Sequence, residues 1–212
     1  DPTPCNGKAA FLSRWTERPP HDPKDYPDCN IGVLTGGKHQ LIALDVDVTV
    51  ELKALQIDHA IRETFGDAPK RIGQAPKFLY VFRCDELLQK QKVQVDGGAV
   101  EVLGEGQQFI ASGIHPDTKK KYDWPGDSIR DFRADELPLI NSADLATFLK
   151  TVELAPSVTK APAKLNGITD GNWHEPVRDY IARLVAKGIG RDEGVTLCTK
   201  AFRQPGYSPE QT

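Results

Sequence analysis

Residues 40–49 read QLIALDVDVT, and this stretch decides the fold. Most of its residues are aliphatic, which is typical of a strand that is buried on both faces. Two carboxylates, Asp45 and Asp47, interrupt its C-terminal end. Because side chains alternate along a strand, both carboxylates project from the same face, roughly 7 Å apart. We therefore predict a central strand that carries an acidic pair at one end.

The acidic pair has two interpretations. Two ionised carboxylates on an apolar strand repel each other and lose hydration, and a shared divalent cation would remove both costs. Hard oxygen ligands of this kind suit Mg²⁺ or Mn²⁺. Alternatively, the strand ends at Asp45, so that Asp47 and Thr49 cap the helix that follows. The spacing alone leaves both interpretations open.

The composition is that of a globular chain without membrane anchors. No apolar run approaches the roughly 20 residues that span a bilayer, and the N-terminus does not resemble a signal peptide, so we expect a cytoplasmic protein. The four cysteines form no CxxC pair, which favours reduced thiols over a zinc ribbon. The net charge is only -3, so any surface that binds nucleic acid has to be local. The chain contains no methionine, which indicates a piece of a longer polypeptide.

Hydrophobic periodicity predicts a strand at 30–34 that pairs with 41–48 across the turn TGGK, and a helix over 49–65. A strand follows at 78–82. From Lys92 onward, short strands separated by the turns DGG and GEG predict a meander of antiparallel neighbours.

The chain ends contrast with this core. Residues 1–29 are rich in proline and read as a lead-in rather than a domain. Residues 142–154 have helical spacing, residues 155–170 read as a linker, and residues 171–212 as a small helical appendage. The prediction is thus an α+β catalytic domain over 1–154, with a mixed, largely antiparallel sheet and flanking helices.

Polar residues at strand ends supply further candidates. Basic residues bracket the strand at 78–82 and either form a solvated cluster or point at phosphates: Lys70, Arg71, Lys77 and Arg83. His115 stands at the end of a later strand, immediately before Pro116, where it would be open to a ligand. Glu101 interrupts an apolar strand and either completes an acidic cluster with Asp45 and Asp47 or faces solvent.

Four segments, taken in order, resemble the archaeo-eukaryotic primase superfamily, and in particular the bifunctional primase-polymerases of phages, plasmids and integrated elements: NIGVLTGG (30–37), LIALDVDV (41–48), RIGQAPKFLYVFR (71–83) and VEVLGEGQQFIASGIHPDTKKKYDW (100–124). That family has a D-x-D or D-x-E pair on a core strand, a small-x-His motif at a later strand end, and a third acidic residue. Asp45 and Asp47 match the first motif, and residues 113–115 match the second. The resemblance covers about residues 6–125. The small position, usually serine, is Gly113 here, with Ser112 one place earlier.

The resemblance implies template-directed nucleotidyl transfer on single-stranded DNA, with Mg²⁺ or Mn²⁺ as cofactor and nucleoside triphosphates as substrates. A helicase domain on the same polypeptide is common in such families. The implied metal ligands are Asp45, Asp47 and Glu101, with Asp123 and Asp131 as other candidates for the third acid. The implied catalytic residues are Asp45, Asp47 and His115, the implied nucleotide ligands are His115, Lys77, Arg71, Arg83 and Ser112, and the implied contacts to DNA are Lys119, Lys120 and Lys121, which otherwise form a solvated turn.

Two other functions fit the same residues. Paired acids and a histidine also serve metal-dependent nucleases and replication initiators. A rolling-circle nickase normally has an H-x-H metal motif, which this chain lacks. The other alternative is a nucleic-acid-binding module that has kept the fold without catalysis, and the intact DVD and GIH motifs weigh against it.

Overall fold

The computed structural model describes residues 2–17, 22–155 and 194. The predicted linker (155–170) and helical appendage (171–212) lie outside the described residues, apart from Ala155 and Gly194. Within the described residues the chain forms ten strands and two α-helices. The strands are β1 (Pro2–Asn6), β2 (Ala9–Ala10), β3 (Asn30–Leu34), β4 (Leu41–Val48), β5 (Lys70–Arg71), β6 (Phe78–Cys84), β7 (Gln91–Val95), β8 (Gly98–Leu103), β9 (Gln108–Ser112) and β10 (Leu139–Ile140), and the helices are α1 (Glu51–Phe65) and α2 (Ser142–Leu154).

The strands form two sheets. The first sheet has the order β2-β1-β3-β9 and is antiparallel. The second sheet has the order β10-β6-β4-β8-β7, with β5 also paired to β6, and only β10 runs parallel to its neighbour among the strands described. This architecture confirms the predicted α+β class. In the described part of the chain, no helix has the length and apolar character needed to cross a membrane.

β4 lies inside the second sheet and is covered on both faces. Its even-numbered residues, 42–48, pack against α1 and α2. Its odd-numbered residues 41 and 43 pack in a second apolar cluster with Phe109 and Ala111 of the first sheet. Burial on both faces explains why the strand is almost wholly aliphatic. Asp45 and Asp47 continue the odd-numbered face, toward the first sheet.

The helix-cap interpretation of the acidic pair is wrong. β4 continues through both aspartates to Val48, and the N-cap of α1 is Val50, which makes no side-chain capping hydrogen bond. The Thr49 hydroxyl donates instead to the carbonyl oxygen of Gly97, at 2.9 Å. Asp47 therefore belongs to the strand.

Two predicted pairings are wrong, because the chain crosses from one sheet to the other at both places. β3 lies between β1 and β9 in the first sheet, and the bridge to Leu41 of β4 is made by Gly36, beyond the end of β3. The GEG turn likewise carries the chain out of the second sheet, so β8 and β9 are not neighbours. β7 and β8 do pair across DGG as predicted. The proline-rich N-terminal segment is more than a lead-in, since it supplies β1 and β2.

The two crossovers are bonded to each other. The Thr35 backbone N–H donates to the Gln107 carbonyl oxygen at 2.9 Å, and the Thr35 hydroxyl donates to the Gly104 carbonyl oxygen at 2.5 Å. A Cβ atom on Gly36 would lie 2.7 Å from the Cα atom of Glu105, so only glycine fits this close approach. The paired crossovers fix the position of β4 relative to β9.

A buried polar network attaches α1 to the second sheet. Asp58 of α1 accepts hydrogen bonds from the Tyr80 hydroxyl of β6, at 2.8 Å, and from the Lys70 ammonium of β5, at 2.7 Å. The Lys70 nitrogen also lies 4.5 Å from the centroid of the Phe78 ring. Because Lys70 directly precedes Arg71, this network also holds the short strand that carries Arg71.

Replacing Asp58 with alanine should destabilise the fold by about 2–4 kcal/mol, because the Lys70 ammonium and the Tyr80 hydroxyl lose their buried acceptor. Urea unfolding followed by circular dichroism measures the change. Glu63→Ala, on the exposed side of the same helix, is the control and should change the free energy of unfolding by less than about 0.5 kcal/mol. Equal effects of the two substitutions would contradict the role of the Asp58 network.

Candidate active site

Residues of both sheets line a cleft with a volume of about 210 Å³. β4 contributes Asp45 and Asp47, β5 contributes Arg71, the loop before β6 contributes Lys77, and the loop after β9 contributes His115. The structure thus brings together five of the predicted site residues, although they come from four separate segments of the chain. The cleft follows the face of β4 that points toward the first sheet.

Asp45 is the most strongly perturbed acid of the cleft. It lies on β4 between Leu79 of β6 and Glu101 of β8, its cross-strand neighbours. Burial raises the pKa of the Asp45 carboxyl group, the positive charge of Arg71 opposes this shift, and the negative charges of Asp47 and Glu101 add to it. The net shift is upward. A cation bound beside Asp45 would relieve both the loss of hydration and the repulsion.

Asp47 is the outer member of the pair. Its side chain is 57% exposed, and one of its carboxylate oxygens lies 2.7 Å from the Lys77 ammonium. Lys77 enters the cleft from the loop that precedes β6. The sequence analysis offered Lys77 as a ligand for phosphates, and in the structure it is paired with Asp47.

Glu101 faces the same side of the second sheet as Asp45, because the two residues are direct cross-strand partners. Its carboxylate accepts a 2.8 Å contact from each of two ammonium groups, those of Lys90 and Lys92. Burial opposes ionisation of Glu101, but the hydrogen bonds from the two lysines outweigh it, so the pKa of Glu101 is lowered. Glu101 borders the acidic pair without lining the cleft.

The other candidates for the third acid lie outside the cleft lining. Asp123 is exposed and is joined to Ile72 by backbone hydrogen bonds in both directions. The Asp131 carboxylate accepts from the Ser128 backbone N–H at 2.7 Å, in a capping box that starts a short 3₁₀ turn. Asp117, which the sequence analysis passed over, does line the cleft.

His115 is held in one orientation by its own loop. The prediction of an open position at the end of a strand is wrong, because β9 ends at Ser112 and the His115 side chain, in the loop beyond, is only 4% exposed. The ring Nδ1 atom accepts hydrogen bonds from the backbone N–H groups of Asp117, at 3.2 Å, and Thr118, at 3.3 Å. An acceptor at Nδ1 leaves the proton of the neutral ring on Nε2. His115 therefore has a single N–H donor, at Nε2, to offer a ligand.

Electrostatics keep this ring uncharged. Burial lowers the pKa of His115, and the positive charges of Lys8, Arg71 and Lys77 lower it further, while Asp117 opposes the shift. The Tyr122 ring packs beside the imidazole, with the ring centroids 5.4 Å apart. Near neutral pH the residue is thus a neutral hydrogen-bond donor.

Arg71 lines the cleft and is anchored at one nitrogen. Its Nη1 atom donates to the Ile110 carbonyl oxygen, and its guanidinium lies 4.7 Å from the centroid of the Tyr122 ring. Among the described residues, no group accepts a hydrogen bond from its buried Nε atom. Burial lowers the pKa of Arg71, and the nearby Asp45 carboxylate opposes that shift. A fixed guanidinium in a cleft suits an anionic ligand.

Other predicted site residues lie apart from the cleft lining. Arg83 pairs with Leu41, at the end of β4 remote from the acids, and donates to the Leu137 carbonyl oxygen at 3.0 Å. The Ser112 hydroxyl accepts a hydrogen bond from Arg130. The lysine triplet is exposed on the turn that closes the His115 loop, where the Lys120 carbonyl oxygen accepts from the His115 N–H at 2.8 Å: Lys119, Lys120 and Lys121.

Sequence analysis missed several cleft residues, including Lys8, Gln108 and Tyr122. Lys8 lies in the tight turn between β1 and β2, and Asn-Gly before it is a recognised hairpin signal that could have revealed this turn. Its carbonyl oxygen accepts from the Gln108 side-chain amide at 2.6 Å. Nothing local in the sequence indicates that this hairpin reaches the acidic pair.

The carboxylate oxygens of Asp45 and Asp47 fit a hard divalent cation that leaves part of its coordination shell for substrate. Within residues 2–17 and 22–155, no group of three or more His, Cys, Asp or Glu side chains is arranged to hold a metal ion. Mg²⁺ sites commonly use one or two carboxylates and complete their shell with water and substrate phosphates. Asp45 and Asp47 supply such a pair, and burial, the main cause of the raised pKa of Asp45, is a cost that a bound cation would offset.

The cleft of this α+β domain combines carboxylates, a histidine and several cations, which are the residue types found in proteins that handle phosphate-containing substrates. The chain belongs to the family of the bifunctional DNA primase/polymerase N-terminal domain, whose model matches residues 2–140. The comparison with curated proteins found no significant match. The family match confirms the resemblance seen in the sequence. It gives the chain a DNA primase/polymerase role, which implies a DNA template and nucleotide substrates.

The pKa of His115 should lie below the usual value of about 6.5, because burial and three neighbouring cations disfavour the imidazolium. Titration of the His115 ring signals by NMR measures it, and the nitrogen shifts should show the proton on Nε2 above that pKa. Lys8→Ala removes one of the cations and should raise the pKa. A titration at or above the usual value in the unmodified chain would contradict this electrostatic picture.

Proposed function

We propose that this domain catalyses template-directed addition of nucleotides to a primer on single-stranded DNA, during replication of a phage, plasmid or integrated element. One observation carries the proposal: the acidic pair, His115, Arg71 and Lys77 line the same cleft. In-line nucleotidyl transfer needs little covalent participation from the protein. It depends on positioning and on compensating charge at the phosphates, and these residues supply both.

Asp45 and Asp47 hold Mg²⁺ or Mn²⁺ in this proposal. When bound, two such ions lower the pKa of the attacking 3'-hydroxyl and compensate the charge of the triphosphate. One oxygen of Asp47 is already paired with Lys77. Binding of a cation at that oxygen has to release the Lys77 ammonium, which is then free to pair with a phosphate.

His115 and Arg71 bind the triphosphate in this proposal. The neutral His115 ring donates from Nε2 to a phosphate oxygen, in a direction set by the two backbone N–H groups on Nδ1. Arg71, held by the Ile110 carbonyl oxygen and the Tyr122 ring, contributes a fixed positive charge at the wall of the cleft. Because His115 carries no charge near neutral pH, its hydrogen bond orients the triphosphate, and the neighbouring cations attract it.

Glu101 remains our proposal for the third metal ligand. It lies directly across from Asp45, but its carboxylate is engaged by Lys90 and Lys92. Coordination by Glu101 therefore requires that at least one of these lysines gives up its contact. Both lysine side chains are about half exposed, so water can replace the carboxylate at little cost.

Asp45→Asn and Asp47→Asn should each abolish nucleotide incorporation while the chain still folds, because each removes a charged metal ligand without changing side-chain volume. Primer extension with Mn²⁺, deoxynucleotides and a labelled primer-template measures activity, and circular dichroism reports folding. Asp127→Asn, on an exposed loop outside the cleft lining, is the matched control and should retain full activity.

The same assay separates the alternative functions. Extended primers support the polymerase, shortened strands indicate a nuclease, and retention of DNA without any change in length indicates a binding module. Full incorporation by either aspartate variant would overturn the assignment of the acidic pair.

The exposed lysine triplet should bind the backbone of the template in a salt-dependent manner. Replacing Lys119, Lys120 and Lys121 together with alanine should weaken binding of single-stranded DNA and reduce the slope of log K against log salt by about 2, at about 0.7 per lost phosphate contact. Fluorescence anisotropy with a labelled oligonucleotide measures both. The control removes the same charge elsewhere, through alanine at Lys24, Lys38 and Lys150, all exposed and outside the cleft lining. Equal losses in the two triple variants would indicate a general charge effect.

A further inference from the structure

The Asn30 side chain uses its whole amide group to join three parts of the chain. Its Oδ1 atom accepts from the Ile114 backbone N–H, and its Nδ2 atom donates to the Ile114 carbonyl oxygen, both at 2.8 Å. The same Nδ2 atom donates to the Gly7 carbonyl oxygen at 2.8 Å. Two carbonyl oxygens around Nδ2 and one N–H at Oδ1 fix the orientation of the amide without ambiguity.

Through these contacts the Asn30 side chain extends the hydrogen-bond ladder between β3 and β9. The backbone pairing of β3 with β9 ends at Ile31 and Ser112. Beyond that point the Asn30 amide pairs with both backbone groups of Ile114, as a neighbouring strand would. The chain segment that leads out of β9 is thus kept in line with the first sheet up to the residue before His115.

The residues that Asn30 binds are the immediate neighbours of two cleft residues. Ile114 precedes His115, and Gly7 precedes Lys8; both His115 and Lys8 line the cleft. One side chain outside the cleft lining is therefore hydrogen-bonded both to the N-terminal hairpin turn and to the histidine loop. Each of these contacts is one residue away from a polar group of the cleft.

The same arrangement explains why the first residue of the GIH motif, at position 113, is glycine. A Cβ atom on Gly113 would lie 1.9 Å from the Asn30 Oδ1 atom, and the φ angle of Gly113 is +128°. Serine, usual at this position in the family that the sequence resembles, fits neither the space nor the backbone conformation. In this chain the Asn30 amide occupies the space that a side chain at position 113 would need.

We propose that Asn30 is a positioning residue that aligns His115 and Lys8 for the triphosphate of the incoming nucleotide. The inference rests on the proposed nucleotide site and extends it to a residue that touches neither substrate nor metal. If a group only positions ligands that act equally on bound substrate and transition state, its loss weakens substrate binding more than turnover.

Asn30→Ala should therefore raise the apparent KM for deoxynucleotide about tenfold, while kcat falls less than about threefold, since three hydrogen bonds to the two loops are lost. Steady-state primer extension measures both constants. Asn30→Asp keeps the acceptor for Ile114 but loses both donors and places an oxygen against two carbonyls. It should raise KM to a similar extent, and it tests the proposal if the alanine variant does not fold.

Asn141→Ala is the matched control. Asn141 also uses its amide fully, as the N-cap of α2 and as a donor to Asp85, but it lies outside the cleft lining. Its loss should lower the free energy of unfolding without changing KM. The proposal is overturned if Asn30→Ala leaves KM unchanged, or if Asn30→Ala and Asn141→Ala raise KM equally.

A second measurement does not depend on catalysis. In Asn30→Ala the NMR titration of His115 should move upward from its position in the unmodified chain, because the loop loses part of its burial and its hydrogen-bonded link to the turn that carries Lys8. Asn141→Ala should leave that titration unmoved. If the unmodified chain incorporates no nucleotide, the proposed function fails, yet this titration still decides whether Asn30 positions His115. An unmoved titration in Asn30→Ala would refute the positioning role.

Discussion

The negative charge of Asp45, at the margin of an apolar layer, is the constraint on which the site depends. Asp45 continues the face of β4 that packs against the first sheet, so it loses much of its hydration and lies beside two further carboxylates. A charge in such a place is stable only if cations are held close to it. The cations come from different parts of the chain. Arg71 and Lys8 act on Asp45, and Lys77 pairs with Asp47. Arg71 is held by Ile110 and Tyr122, and the backbone of Lys8 is held by Gln108.

The two-sheet arrangement makes this convergence possible. Two crossovers, after β3 and after β8, carry the chain between the sheets and are bonded to each other at Thr35. They place β9 over the odd-numbered face of β4. The loop that follows β9 therefore lines the same cleft as Asp45 and Asp47. If β3 had paired with β4 in one continuous sheet, the placement of the His115 loop in the same cleft as Asp45 would not follow. The site is thus a consequence of the crossing between the two sheets. At the end of β9, the Asn30 amide bonds to Ile114 and occupies the space beside Gly113.

Sequence patterns succeeded where the chemistry is local to one strand. The aliphatic run with two aspartates was enough to predict the buried strand β4 and the shared face of its acids, because alternation along a strand is a property of the backbone. The DGG hairpin was predicted for the same kind of reason, since its turn geometry is set by adjacent residues. The pairings of β3 and β9 were mispredicted because a short glycine-containing link permits either a hairpin or a change of layer. Burial of both faces of β4 decides between them.

The sequence by itself determined the class of the fold, the central strand and the acidic pair, and its ordered motifs matched the family to which the chain belongs. His115 was expected at the end of a strand, but β9 ends at Ser112 and His115 lies in the loop beyond it. Only the tertiary structure decided that Lys8, Tyr122 and Asp117 share the cleft and that Arg83 and Ser112 lie outside its lining. It also decided that Glu101 is engaged by Lys90 and Lys92. The physical reason is that strand periodicity and turn chemistry act over a few residues, whereas compensation of a half-buried charge depends on distances between segments that only the packed layers define.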